Sequence, residues 1–181
     1  LSENFMVGVA ARYEDYTDFG STFNGKLAAR WQLSDDWALR GAASTGFRAP
    51  SVGQSNVRNV TTAFVGGRLQ DQATLPPTHP ISVQKGGKQL EPEESVNLSF
   101  GLVGEFDNGL YMTIDYFNIK VTDRISQTSS LTLTPADIEA LLALGQRDAT
   151  SFTSIRYFTN DFDTRTQGVD LVMNYSMDMF G

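Results

Sequence analysis

Residues two apart share a character through most of this chain. From Phe23 the odd positions read Phe23, Gly25, Leu27, Ala29, Trp31 and Leu33, with Asn24, Lys26, Ala28, Arg30 and Gln32 between them. One face is apolar and the other mostly polar, the pattern of a half-buried strand. The same alternation runs through Phe5 to Tyr13, Trp37 to Phe47, Val96 to Phe106, Leu110 to Tyr116 and Val169 to Tyr175. It predicts an all-β, antiparallel, up-and-down chain of about six strands.

The connections alternate in length. Ser34-Asp35-Asp36 and Asp107-Asn108-Gly109 each bridge two strands as short hairpin loops, the second ending in a glycine suited to a left-handed position. The links on the other side are longer: a modest one between Glu14 and Thr22, and long ones from Ala49 to near Glu93 and from Arg124 to near Thr153. Leu75-Pro76-Pro77-Thr78-His79-Pro80 in the first long link excludes regular helix or central strand there. The second long link predicts one short helix. Thr134 caps it, Pro135 takes its first position, Asp137 suits its first turn and Gly145 stops it. Ile138, Leu141 and Leu142 are expected on its buried face.

A soluble sandwich also has one apolar face per strand, so alternation alone leaves two architectures open. Segment length separates them: these run about ten to thirteen residues, against about five or six for soluble strands. Short turns on one side and long loops on the other are the habit of outer-membrane barrels. Aromatics also sit at the strand ends of the apolar face. Phe23 and Trp31 lie ~26 Å apart along the strand at ~3.3 Å per residue. At a tilt of ~40° that spans ~20 Å, close to the ~25 Å apolar band of such barrels. Phe5 with Tyr13, and Trp37 with Phe47, repeat the spacing.

Composition narrows the function. A formal charge of −7 and a pI near 4.6, with the basic residues scattered singly, argue against a nucleic-acid partner. No cysteine is present, which excludes a disulfide framework, a thiolate metal site and a cysteine nucleophile. One histidine, without a strand-turn-helix nucleophile context, leaves no catalytic constellation. No enzyme, resident cofactor or metal site is expected. A start at Leu1 and a finish at Met-Phe-Gly read as interruptions, so residues 1–181 are expected to be one partial barrel domain of a larger protein.

Four short motifs then carry a resemblance. Gly46-Phe47-Arg48-Ala49-Pro50-Ser51 resembles the "GFRAP" signature of TonB-dependent receptors. Leu90-Glu91-Pro92-Glu93-Glu94-Ser95-Val96-Asn97 resembles that family's "L-x-P-E-x-S-x-N" segment. Asp115 to Lys120 with Asp123-Arg124-Ile125 resembles its "YxIxIxDRI" strand, and Asn160 with Thr166-Gln167-Gly168-Val169-Asp170 its "N…TxGVD" strand. The motifs follow the family's order over nearly the whole chain. The resemblance implies a barrel of ~22 strands with a plugged lumen, in the outer membrane of a Gram-negative bacterium. It implies import of a scarce nutrient, a ferric siderophore being the family's commonest cargo. The implied partners are outer-membrane lipid, the receptor's own plug, the TonB complex through parts absent here, and a small-molecule or metal-chelate ligand. A secreted or surface β-sandwich used for adhesion is the competing reading.

Within that frame, parity places Arg30, Arg40, Arg48 and Glu105 toward the lumen, where they are candidates for plug contacts, lumen ion pairs or, for Arg48, an anionic ligand. The first long loop offers Asn56, Arg58, Asn59, Phe64, Arg68 and His79 as candidate ligand contacts, since aromatic, arginine and amide groups suit a binding vestibule. His79, between Pro77 and Pro80, is expected to be exposed. The Asp35 and Asn108 turns are expected on the periplasmic side, and the loops around His79 and Leu141 outside the cell.

Overall fold

A computed structural model describes residues 4–17, 19–65 and 67–177. In chain order the elements are β1 (Phe5–Tyr16), β2 (Gly20–Gln32), β3 (Trp37–Arg48), α1 (Val52–Asn56), β4 (Asn59–Val65), β5 (Arg68–Thr74) and α2 (Pro80–Gln84). They continue with β6 (Glu93–Glu105), β7 (Leu110–Gln127), β8 (Leu131–Thr132), α3 (Pro135–Ala143), a 3-10 turn at Arg147–Ser151, β9 (Ser154–Arg156) and β10 (Phe158–Tyr175). The six long strands form one sheet in the order β1-β2-β3-β6-β7-β10, and β4-β5-β9-β8 form another. The chain divides into two compact units, one of residues 1–47, 94–122 and 163–181, the other of residues 48–93 and 123–162.

The first unit is the predicted antiparallel meander. Its register sets apolar row against apolar row. Val9 faces Leu27 across β1 and β2, Leu27 faces Ala43 across β2 and β3, and Phe100 faces Tyr116 across β6 and β7. Arg30 faces Arg40 on the other side of the sheet. A slip of one residue would mix the rows everywhere, so the alternation itself specifies the register. One row stays uncovered in this chain: Val9, Phe23, Leu27, Trp31, Leu98 and Leu171 are all more than half exposed. Lipid around such a row supplies about 1.5–3 kcal/mol per large side chain relative to water.

Both short turns form as expected. The Leu33 N–H donates to the Trp37 carbonyl at 2.8 Å and the Phe106 N–H to that of Leu110 at 2.9 Å. Gly109 takes the left-handed conformation, φ +83°. At this end Trp37 and Phe106 meet edge to face, 5.3 Å between centroids. Gly104 makes room for them, since a Cβ there would stand 3.1 Å from each ring. At the opposite ends of their strands, Tyr16 and Phe47 pack with Phe19. Aromatics thus mark both ends of the apolar rows.

The second unit gathers the two long connections onto a common core of Ala73, Leu75, Ile81, Leu133, Leu141, Ala149, Phe152, Ile155 and Tyr157. Its backbone link is parallel: Gln72, Ala73 and Thr74 of β5 pair with Ser154, Ile155 and Arg156 of β9. The expected single helix becomes three, because α1 and α2 also form in the first loop. The Leu75–His79 stretch is neither helix nor strand, and α2 starts at Pro80, where a missing N–H costs nothing. Of the expected helical face of α3, Leu141 is fully buried and Ile138 packs against the core, whereas Leu142 is 44% exposed. Leu142 lies ~100° around the helix from Leu141, and the core seats only one of them deeply.

The start of α3 follows its sequence signals. The Thr134 hydroxyl accepts from the Asp137 N–H at 3.2 Å, and Asp137 accepts from the Thr134 N–H at 2.8 Å and from Lys85 Nζ at 3.0 Å. Those donors, the Thr134 hydroxyl and N–H first and then the Lys85 ammonium, hold the Asp137 carboxyl down at about 2. A carboxyl so depressed stabilises the fold fully above its unfolded value of about 3.9. That contribution is lost as pH falls toward 2. Asp137→Asn is therefore expected to destabilise this unit by about 1 kcal/mol at neutral pH and to flatten its acid sensitivity between about pH 4 and 2. Amide exchange of residues 134–145 in the full-length protein across that range measures both effects.

Candidate functional site

The residues of the four motifs meet. Arg48 ends β3 and Glu93 begins β6. The guanidinium binds the carboxylate bidentately, Nε to Oε2 at 2.9 Å and Nη2 to Oε1. Glu93 Oε1 also accepts the Ile125 N–H at 2.8 Å. The Asn160 amide accepts the Glu91 N–H at 3.0 Å and donates to the carbonyls of Glu91 at 2.9 Å and Asp123 at 2.6 Å. Asp123 has φ 54°, a left-handed conformation that Asp tolerates better than most residues. Ends of β3, β6, β7 and β10 are thus tied by one belt of hydrogen bonds. The Glu93 side chain is 7% exposed and that of Arg48 56%, so the arginine keeps a face open to solvent while bound.

On the inward face of the first unit, Arg40 crosses β6 to bind Asp115 of β7, Nε to Oδ1 at 2.8 Å. Gly101 permits the crossing, because a Cβ there would stand 1.9 Å from Asp115 Oδ1. Arg30, opposite Arg40, donates to Gln32 Oε1 at 3.1 Å. Glu105 is exposed at the turn end of β6, its N–H bonded to the Asp36 carbonyl.

Two of the six loop candidates come together. Arg58 and His79 converge on Asp148 of the second loop, Arg58 Nη2 at 3.3 Å and His79 Nε2 at 4.0 Å from its Oδ2. His79 is not exposed as expected: its side chain is 15% exposed. The ring turns inward because it caps α2, Nδ1 accepting the Ile81 N–H at 3.3 Å. Burial lowers its pKa, with Asp148 opposing and Arg58 assisting. Asn56 folds back onto the Val52 carbonyl at 3.1 Å. Asn59 opens the β4–β5 hairpin, opposite Thr74. Near its tip Phe64 faces Leu69, and both are over 70% exposed. Arg68 begins β5, and its side chain lies outside those described.

Asp148 and Leu69 are the partners that the sequence did not point to. No local spacing links Asp148 to Arg58. Leu69 was reachable, since Gly66-Gly67 between two β-prone segments signals a hairpin.

The sequence profile described as "TonB dependent receptor-like, beta-barrel" matches residues 1–181. The chain belongs to this family. Among curated proteins it is similar to an iron-regulated outer membrane virulence protein of Vibrio cholerae serotype O1, 26% identical over 129 residues, which are 71% of this chain. The chain spans 17% of that relative's length. Among solved structures, the siderophore receptor PirA from Pseudomonas aeruginosa superposes with a TM-score of 0.67 at 19% identity, over 94% of this chain and 28% of the other. A ferric enterobactin receptor from the same organism, solved with enterobactin, gives 0.68 at 17%, over 94% and 22%. These likenesses establish the fold as that of a TonB-dependent receptor barrel. The belt formed by the four motifs is then a structural tie of this barrel.

Proposed function

We propose that these residues are part of an outer-membrane TonB-dependent receptor that binds and imports a ferric siderophore. One observation carries the reading: both long connections fold onto a shared core, building a preformed loop body instead of two separate loops. That body presents Phe64 and Leu69 at a hairpin tip and the Arg58–His79–Asp148 cluster at a loop junction. An exposed aromatic tip and a fixed cation at separate places on one loop body suit different parts of a large anionic iron chelate. Arg30, Arg40 and Glu105 would meet the plug, and other parts of the receptor would engage the TonB complex. The iron is cargo, and the protein is read as a receptor and not as an enzyme. The uncovered apolar row favours a barrel in lipid over an adhesion sandwich, where such rows pack on each other.

Deleting the full-length gene is expected to abolish siderophore-dependent uptake of labelled iron under iron limitation. Phe64→Ala with Leu69→Ala should weaken chelate binding by about tenfold, the effect of losing one well-packed aromatic contact. Unchanged iron uptake in the deletion strain, with loss of uptake of another nutrient, would reassign the cargo. An epitope inserted near Thr78 should be labelled on intact cells; a well-expressed but unlabelled receptor would reverse the orientation.

A further inference from the structure

His79 holds two partners that a single proton sets against each other. α2 is too short to stand without tertiary support, and the Ile81 N–H in its first turn finds an acceptor in His79 Nδ1 at 3.3 Å. An accepting Nδ1 fixes the imidazole as neutral, with its hydrogen on Nε2. That second nitrogen lies 4.0 Å from Asp148 Oδ2, the oxygen that Arg58 Nη2 also approaches at 3.3 Å. Among the described residues, Arg58 from the segment before β4 and Asp148 from the 3-10 turn are the charged groups acting on the ring.

The two ends of α2 are held differently. At its C-terminal end the Tyr157 hydroxyl donates to the Lys85 carbonyl at 2.7 Å, and Lys85 Nζ donates to Asp137 at 3.0 Å. Those contacts come from β9's flank and from α3. At the N-terminal end the main-chain bonds stay within the segment: His79 N–H to the Pro76 carbonyl and Val83 N–H to the His79 carbonyl. The His79 cap therefore sets where the helix begins. It fixes the backbone of Ile81, which is fully buried in the core with Ala73, Leu75, Leu141 and Ile155.

An imidazolium carries a hydrogen on both nitrogens. On Nδ1 that hydrogen would point at the Ile81 N–H, donor against donor, and the cap must break. The new charge has a partner at hand in Asp148, for which it competes with Arg58.

We propose that His79 is a proton-operated latch of the loop body. Neutral, it seats the start of α2. Protonated, it leaves the helix for Asp148, and the N-terminal end of α2 opens while the C-terminal end stays anchored. The latch needs only the loop body, whatever cargo the protein carries. Burial lowers the His79 pKa below its ordinary value of about 6.5, with Asp148 opposing and Arg58 assisting. The neutral cap thus contributes fully above about pH 6.5 and is lost as pH falls through the lower folded value. Asp137, held at about 2, stays charged over that range, so this response is separate from the acid loss at α3.

Amide exchange of residues 80–85 in the full-length protein, corrected for the intrinsic rate at each pH, reads the latch. Protection is expected to fall about tenfold between about pH 7.5 and 4.5, the effect of losing one cap. His79→Asn keeps a capping acceptor that takes up no proton, so its protection should stay level. Asp148→Asn removes the group that raises the pKa and should move the fall to lower pH; Arg58→Ala should move it to higher pH. If His79→Asn does not assemble, these opposed shifts decide. The same fall in His79→Asn as in the parent, or a fall that neither Asp148→Asn nor Arg58→Ala moves, overturns the proposal.

Discussion

Removing the Glu93 carboxylate is expected to raise amide exchange at Ile125 about a hundredfold in the full-length receptor, equivalent to some 3 kcal/mol of local opening. Glu93 is nearly buried, and it serves two donors on two other strands: the Arg48 guanidinium and the Ile125 N–H. Glu93→Ala leaves the buried N–H without an acceptor and frees Arg48 into solvent. Arg48→Ala does a different harm, stranding a carboxylate with only one donor, and should cost a similar amount or slightly more. Replacing both by Met should recover part of the loss, because no charge is then left unpaired. Hydrogen exchange with protease digestion reads all three variants. Unchanged protection at Ile125 in Glu93→Ala would mean that the belt does not fasten these strand ends.

A single methyl group should do comparable damage in the loop body. A Cβ on Gly87 would stand 2.4 Å from the Pro77 carbonyl oxygen and 2.9 Å from the Ser82 carbonyl carbon and oxygen. All three are backbone atoms, so no side chain can rotate away. The Gly87 N–H is itself held by the Ser82 carbonyl at 2.8 Å. Gly87→Ala is expected to cost about 3 kcal/mol, at the upper end for overpacking. The loops should become protease-sensitive and chelate binding should fall at least tenfold, while the barrel still assembles. Gly53→Ala is the control, since its Cβ meets nothing closer than 3.9 Å. Equal protease resistance in both variants would show that the loops tolerate the strain.

The barrel strands were legible because their physics is local. Each outward row repeats every second residue, so Leu27, Ala29 and Trp31 announce a face without any knowledge of the neighbouring strand. The helix at Thr134 was legible for the same reason, its cap, proline and stop lying within a dozen residues. The loop body was not. Ala73 pairs with Ile155 across 82 residues of chain, and isolated core residues such as Leu75 and Ile81 have no period to betray them. Some signals were present but faint. Ser51 with Gln54 makes a capping box for α1, and Val60 to Val65 is β-prone before Gly66-Gly67. His79 shows the limit most clearly: flanking prolines argued for an exposed loop tip, whereas its Nδ1 is spent on capping α2. The motifs, legible as a resemblance, gave no hint that Arg48 binds Glu93 or that Asn160 ties Glu91 to Asp123.

The parallel pairing of β5 with β9 bears on how such barrels could exchange loops. Residues 49–92 hold Leu75 and Ile81, and residues 123–162 hold Leu141, Phe152 and Ile155 of the same core. A chimera that receives one connection without the other inherits half a hydrophobic interior and an unmatched strand edge. Recombination between relatives would therefore succeed when both connections cross over together. The unit that recombination can exchange in this part of the barrel is then a pair of loops, though the genome writes them apart.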